Sequence, residues 1–169
     1  MCLTTTVAGQ FAQGQKGQKM TRHMVSAMVL ALFVSFATGH SDQATASTVA
    51  AAKTYQGMHE GKHTGSLSKL LKVNPRKTPW CAAFANAILK KKGKKGTGSL
   101  TARSFFAWGK RVTNPQQGDI VIIKTKRGYH VGFFVGRKGN KVLVIGGNQS
   151  NSVKVTAYSI KSVAQFRRG

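Results

Sequence analysis

Two groups of residues in this chain have the types and spacing that chemistry requires. The first is the segment His59–His63 (HEGKH), which matches H-E-x-x-H, a pattern in which two histidines on one helical face bind zinc beside a catalytic glutamate. Three glycines in or beside this segment each oppose a helix by about 1 kcal/mol relative to alanine. A third ligand is also required, and His130 is the only good candidate. We therefore expect His59 and His63 to face solvent in a loop, with a zinc site as the less favoured alternative.

The second group consists of Cys81, His130 and Asn148. Cys81 lies in the first turn of a predicted helix, where free N–H groups and the helix dipole favour a thiolate. His130 opens an alternating strand in which Gly132 leaves space beside the imidazole. Asn148 could accept a hydrogen bond from one His130 nitrogen, so that the other faces the thiol, as in a Cys–His–Asn triad. Taken singly, a buried structural cysteine, a structural histidine and an ordinary turn explain the same residues.

Periodicity predicts the elements that would position these residues. Helical spacing and stop signals favour helices at residues 47–56, 66–73, 78–92 and 99–108, and Thr78 suits the N-cap of the third with Pro79 at its first position. Alternation then favours strands at residues 119–124, 130–136, 142–145 and 153–158, separated by hairpin distances. Helices followed by an antiparallel sheet indicate an α+β fold in which one or two helices pack on the sheet.

The N-terminal segment is typical of a secretory signal peptide. A basic flank at residues 21–23 precedes 14 apolar residues at 24–37, and Ala44-Thr45-Ala46 offers a cleavage site. The apolar run is short for a membrane span. We predict a leader at residues 1–46, with Met20 as an alternative start, and a single domain at 47–169 that is periplasmic or secreted. An uncleaved membrane anchor is the alternative, and we expect membrane contact only through the leader.

The charge of the chain is strongly one-sided. Lys and Arg number 27 and acids number 3, which gives a net charge of +24. Such a chain associates with polyanions, such as nucleic acid, anionic lipid or the anionic polymers of a cell envelope. After residue 46 only Cys81 is a cysteine, so a disulfide within the mature chain is excluded. We expect no cofactor.

Five sequence blocks resemble a known family. They are TPWCAAFANAIL, ARSFFAWG, GDIVII, HVGFFVG and GGNQSNSVKVTAYS. In this order they are similar to a bacterial and phage group of papain-like cysteine peptidases related to the CHAP (cysteine-, histidine-dependent amidohydrolase/peptidase) and NlpC-type peptidoglycan hydrolases. The resemblance covers roughly residues 50–168 and implies a papain-like fold, with the nucleophile helix packed on a small antiparallel sheet. It also implies that Cys81 is the nucleophile, His130 the general base and Asn148 the residue that orients it.

The resemblance also offers an explanation of the HEGKH segment. Members of the group tend to carry G-x-x-E upstream of the cysteine helix, which residues 57–60 match, so that the two histidines are incidental. Residues 75–77 (PRK) depart from the family, which often has acidic residues there. The charge facing the substrate is therefore expected to be unusual.

The sequence thus predicts an exported, monomeric cysteine amidohydrolase or endopeptidase that cleaves amide bonds of peptidoglycan. Trp80, Trp108 and Gln149 are candidates to line its cleft, although core packing is the commoner role for both tryptophans. One alternative is a non-catalytic cationic protein that binds envelope polymer or nucleic acid. The export signal and the lack of a recognised binding motif argue against specific nucleic-acid binding. A zinc peptidase that uses His59 and His63 is the other alternative.

Overall fold

A computed structural model describes residues 48–169. The predicted leader, its cleavage site and the alternative start at Met20 lie outside the described residues. Within residues 48–169, no helix combines the length and the apolar character that crossing a membrane requires.

The described residues form three α-helices and six strands. The helices are α1 (helical residues 48–53), α2 (Thr64–Leu71) and α3 (Cys81–Lys91), and two short 3₁₀ segments lie at Ala102–Ala107 and Ile160–Ser162. The strands are β1 (Lys110–Val112), β2 (Ile120–Thr125), β3 (Gly128–Lys138), β4 (Lys141–Gly146), β5 (Lys154–Ser159) and β6 (Val163–Arg168). They form one antiparallel sheet in the order β1-β6-β2-β3-β4-β5. The predicted α+β fold is confirmed, and it is compatible with a papain-like architecture.

Helix α3 begins later than the sequence pattern predicts. Thr78 and Pro79 lie before the helix, and Trp80 takes the N-cap position without a side-chain hydrogen bond to the helix. The carbonyl of Trp80 accepts the hydrogen bond of the Phe84 N–H at 2.9 Å. The Trp80 side chain is fully buried, so the chain enters the helix where this indole is anchored. Cys81 is therefore the first helical residue, at the positive end of the helix dipole.

One face of the sheet packs against α3. Alternate residues of β2 and β3, together with Ile145, meet the apolar side of the helix; this core includes Ile120, Ile122, Val131, Phe133, Trp80, Phe84 and Ile88. Full burial of each large side chain contributes about 1.5–3 kcal/mol relative to exposure. The helix that carries Cys81 is thereby held against the strand that carries His130.

The opposite face of the sheet forms a second core. It contains Val121, Ile123, Phe134, Val142, Val144 and Phe166. Register shifts interrupt the pairing of β3 with β4 and of β2 with β6, and such bulges bend a sheet. Phe134 and Phe166 then meet edge to face with their ring centroids 5.7 Å apart. His130 lies on this face, because it pairs with Ile123.

Two strands were not predicted from the sequence. β1 has only three residues, two of them charged, and β6 lies at the end of the chain with two arginines. β6 is inserted between β1 and β2, so both of its partners precede it by long stretches of chain. The predicted helix at 99–108 is a six-residue 3₁₀ segment.

Candidate active site

The thiol of Cys81 lies at the start of α3, where the helix meets β3. The side chain is buried, with 8% of the residue exposed. Burial raises the pKa of this thiol, against the lowering effect of backbone hydrogen bonds from Val131, Ala82 and Cys81 itself. Cys81 and Val131 belong to the same buried core, and Val131 directly follows His130.

His130 is a half-buried residue near the start of β3, and its Nε2 side is enclosed. Its ring lies against Tyr158 of β5, with centroids 5.8 Å apart and planes tilted by 31°. Burial lowers the pKa of His130 to about 4, so the imidazole is neutral at neutral pH. Its Nε2 atom is buried and has no hydrogen-bond partner within the described part of the chain. A neutral imidazole is in the protonation state that a general base requires.

Asn148 follows the strand whose last residue, Gly146, lies close to His130 Nε2. It follows β4 in a tight turn, with a left-handed backbone at φ 58°. Continuing the β3–β4 pairing of Phe133 with Ile145 would place Asn148 opposite His130. No side-chain hydrogen bond joins Asn148 to His130 in the described structure, and His130 Nε2 has no partner. The structure thus brings Cys81 to the His130 strand and Asn148 to the adjacent turn.

Backbone hydrogen bonds and close packing hold the turn after β4 in place. The Gln149 N–H donates to the Ser152 carbonyl at 2.9 Å, and the Glu60 N–H donates to the Asn151 carbonyl at 2.9 Å. Gly147 packs so closely that an added Cβ would lie 2.5 Å from the Trp80 ring. The turn that carries Asn148 therefore packs against the start of α3.

The residues predicted to line a cleft have structural roles instead. Trp80 is fully buried, and Gln149 is 4% exposed, with its side chain bonded to backbone carbonyls and to Tyr158. Trp108 is half-buried, packs beside Phe105 and donates from Nε1 to the Lys95 carbonyl at 2.7 Å. These positions correct the prediction for Trp80 and Gln149, because neither side chain is available to a substrate.

The HEGKH segment is not helical at its histidines, since α2 begins only at Thr64. His59 Nδ1 accepts from the Gly61 N–H, and His63 Nδ1 accepts from the His59 N–H, each at 3.0 Å. Among residues 48–169, no three His, Cys, Asp or Glu side chains are grouped as a metal ion would require. The geometry therefore offers no support for a zinc site at His59 and His63 in this region.

Glu60 has a role that sequence reasoning missed. Its carboxylate accepts a hydrogen bond from Trp80 Nε1 at 2.9 Å, one residue before Cys81. The available signals were the G-x-x-E match and the scarcity of acids, since only Glu60 and Asp119 follow residue 46. Asp119 in turn pairs with Arg168 at 2.7 Å. Both side-chain carboxylates of the described residues are thus engaged within the fold, against 24 Lys and Arg residues.

An open groove of about 730 Å³ lies between α2 and α3, but it does not include the candidate residues. It is lined by apolar side chains and by lysines, among them Leu70, Leu100, Lys69 and Lys90. Neither Cys81 nor His130 borders it. This groove therefore does not coincide with the candidate residues.

A cysteine on the first turn of a helix, packed against a histidine-bearing strand of an antiparallel sheet, is the arrangement of papain-like cysteine hydrolases. The family model of the CHAP domain matches residues 73–148, a stretch that begins just before α3 and ends at Asn148. This match is consistent with the CHAP-type group of the papain-like peptidase superfamily and confirms the resemblance seen in the sequence. CHAP domains are generally hydrolytic on peptidoglycan. A comparison with curated proteins finds no match to this chain.

Proposed function

We propose that this chain is an exported cysteine amidohydrolase or endopeptidase that cleaves amide bonds of peptidoglycan, with Cys81 as nucleophile and His130 as general base. One observation carries this proposal. Cys81, the first residue of α3, lies in the same buried core as Val131, the residue next to His130. The CHAP match supports the substrate class, and the predicted leader supports export.

The protonation states favour a neutral resting pair. Burial raises the pKa of the Cys81 thiol, and burial lowers the pKa of His130 to about 4, so the proton stays on sulfur near neutral pH. His130 then removes this proton as the sulfur attacks the amide carbonyl. The developing oxyanion is stabilised by the Cys81 N–H at the helix start.

The remaining steps return the enzyme to its starting state. Protonated His130 donates its proton to the leaving amine, and a thioester joins the acyl group to Cys81. Water then attacks the thioester while His130 accepts its proton. The acid is released, and the proton returns to the Cys81 sulfur. A polar residue must orient His130 throughout, and the sequence-based prediction for that role is Asn148.

The excess of positive charge supports an anionic envelope polymer as the partner. Residues 48–169 carry 24 basic residues, and both of their side-chain carboxylates are engaged within the fold. Such a surface retains the enzyme on anionic polymer in a salt-sensitive manner without a dedicated binding domain. The proposal includes a monomeric single domain from residue 47 onward.

The same charge is the observation that favours a second candidate, a non-catalytic cationic binding protein. The deciding experiment measures release of soluble fragments from purified peptidoglycan, and retention of protein on the insoluble polymer, with and without a chelator. The protein is compared with Cys81→Ala and, as the control for the metal alternative, with His59→Ala.

Release that survives the chelator, persists in His59→Ala and is lost in Cys81→Ala supports the cysteine hydrolase. Retention of Cys81→Ala on the polymer would show that the loss concerns chemistry rather than binding. Release that stops with the chelator and persists in Cys81→Ala would overturn the proposal. Retention without release by the unmodified protein would support the binding protein instead.

A further inference from the structure

One ring nitrogen of His130, Nε2, lacks a hydrogen-bond partner within the described residues. Nε2 is the enclosed nitrogen, so the proposed function requires Nδ1 to exchange the proton with Cys81. A neutral imidazole carries one proton, so Nδ1 is free to act as base only if that proton is on Nε2. A buried N–H needs an acceptor. The groups around Nε2 therefore decide whether His130 has the tautomer that the reaction needs.

Two polar side chains converge on this side of the ring. Tyr158 lies against the imidazole at a centroid distance of 5.8 Å. The side chains of Gln149 and His130 both approach Gly146. A Cβ added to Gly146 would lie 3.3 Å from His130 Nε2 and 3.4 Å from Gln149 Nε2. Gly146 thus leaves the space in which the His130 and Gln149 side chains come together.

The hydrogen-bond direction between Gln149 and Tyr158 is determined by the backbone. The amide nitrogen of Gln149 donates to the carbonyls of Val144 at 3.3 Å and Gly146 at 3.1 Å, and also to that of Lys154. This orientation turns Oε1 toward Tyr158, whose hydroxyl donates to it at 2.8 Å. A hydroxyl that has used its single proton can only accept further hydrogen bonds. The Tyr158 oxygen therefore keeps acceptor capacity, on a ring that packs against the histidine.

We propose that Tyr158, held by Gln149, is the positioning residue that accepts the Nε2 proton of His130 and so leaves Nδ1 free to deprotonate Cys81. This inference rests on the proposed function and assigns to Tyr158 the role that the sequence predicts for Asn148. The contact requires the two rings to shift, since Nε2 is without a partner in the described structure. During the reaction the Nε2 proton stays in place, and only Nδ1 gains and loses a proton.

The surrounding charges agree with a neutral acceptor. Tyr158 from β5 packs against the imidazole and is itself influenced by Cys81 of α3, whereas the neighbours Ile123 on β2 and Gly146 on β4 carry no titratable group. Lys154 on β5 is turned to Ser150 Oγ at 2.9 Å.

Tyr158 itself stays protonated beside the thiolate. Burial raises the pKa of its phenol, and the charge of Cys81 raises it further. Glu60 and Asp119, the two side-chain carboxylates among residues 48–169, are bonded elsewhere. Tyr158 can therefore accept a hydrogen bond without giving up its own proton.

The test compares the full chain with Tyr158→Phe, which removes only the hydroxyl, and with Gln149→Met, which removes the group that orients it. Tyr55→Phe is the matched control, because Tyr55 packs on Phe84 away from the imidazole. Asn148→Ala tests the competing assignment. Nitrogen NMR of the labelled histidines reads the tautomer without substrate, and peptidoglycan hydrolysis gives kcat and KM separately.

We expect His130 of the unmodified protein to carry its proton on Nε2. In Tyr158→Phe and Gln149→Met the proton should shift at least partly to Nδ1, and kcat should fall about tenfold with KM unchanged, as the loss of one hydrogen bond implies. Tyr55→Phe should match the unmodified protein in both measurements.

An Nδ1-protonated His130 in the unmodified protein would overturn the inference, and so would an unchanged tautomer in Tyr158→Phe. A tautomer shift seen only in Asn148→Ala would assign the role to Asn148. Absence of hydrolysis by the unmodified protein would contradict the proposed function, and the NMR measurement would still decide the position of the proton.

Discussion

Replacement of Gly147 by alanine should disrupt the packing of the turn after β4 against α3. A Cβ on Gly147 would lie 2.5 Å from Cζ3 and 2.6 Å from Cε3 of Trp80, and 2.6 Å from Cβ of Phe84. Trp80 and Phe84 are fully buried and cannot rotate away. Ordinary contacts of a Cβ begin at 3.4 Å, so the turn and helix must separate by roughly 1 Å.

The expected loss follows from overpacking of a closed core. Such substitutions typically destabilise by about 1–3 kcal/mol. For a folded region of this size the melting temperature should fall by roughly 4–12 °C. Hydrolysis should fall as well, because the same displacement moves Cys81 relative to His130. Thermal unfolding followed by tryptophan fluorescence measures the first effect, and fragment release from peptidoglycan measures the second.

Gly65→Ala is the matched control. Gly65 lies in α2, has no atom within 4 Å of an added Cβ and does not have a positive φ. Alanine in a helix interior is favoured over glycine by about 0.5–1 kcal/mol, so this variant should be as stable as the unmodified protein or slightly more so. If Gly147→Ala melted together with Gly65→Ala and kept full activity, the close seating of the turn on α3 would be refuted.

Three further predictions concern pH, the Glu60 contact and salt. Burial lowers the pKa of His130 from 6.5 to about 4, so between these pH values the unfolded chain binds a proton that the folded chain does not. The free energy of unfolding should therefore fall by up to about 3 kcal/mol as the pH drops from 6.5 to 4. Urea titrations should show that His130→Gln lacks this contribution. Glu60→Ala leaves Trp80 Nε1 without its acceptor and should lower the unfolding free energy by about 1–3 kcal/mol, whereas Glu60→Gln, which keeps an acceptor oxygen, should lose less in the same titration. Retention on peptidoglycan should weaken steadily from low salt to 1 M salt in pelleting assays, because screening shortens the reach of the basic surface to about 3 Å; unchanged retention would contradict an electrostatic origin.

Local signals were sufficient for the elements that carry the nucleophile and the base. The α3 helix, with its alanines and apolar spacing, and the alternating strand of His130 are both present close to the predicted positions. The predicted start of α3 lies two residues too early, because Thr78 and Pro79 suit a helix start by residue type alone. The buried Trp80 side chain, bonded to Glu60, decided the boundary instead. That bond joins residues 20 positions apart, which no local pattern reveals.

Sequence and tertiary structure thus determined different parts of this site. Residue types alone determined that a thiol begins a helix, that an imidazole opens a strand and that the chain is strongly basic, since dipoles, alternation and charge are local properties. Only the tertiary structure decided which groups surround the imidazole. The sequence points to Asn148 by chain order, whereas the folded sheet places Tyr158 of β5 against the ring and turns Gln149 into the core. The physical reason is that hydrogen-bond partners depend on the pairing of β4 with β5 and on the bend of the sheet, which arise from contacts between distant segments.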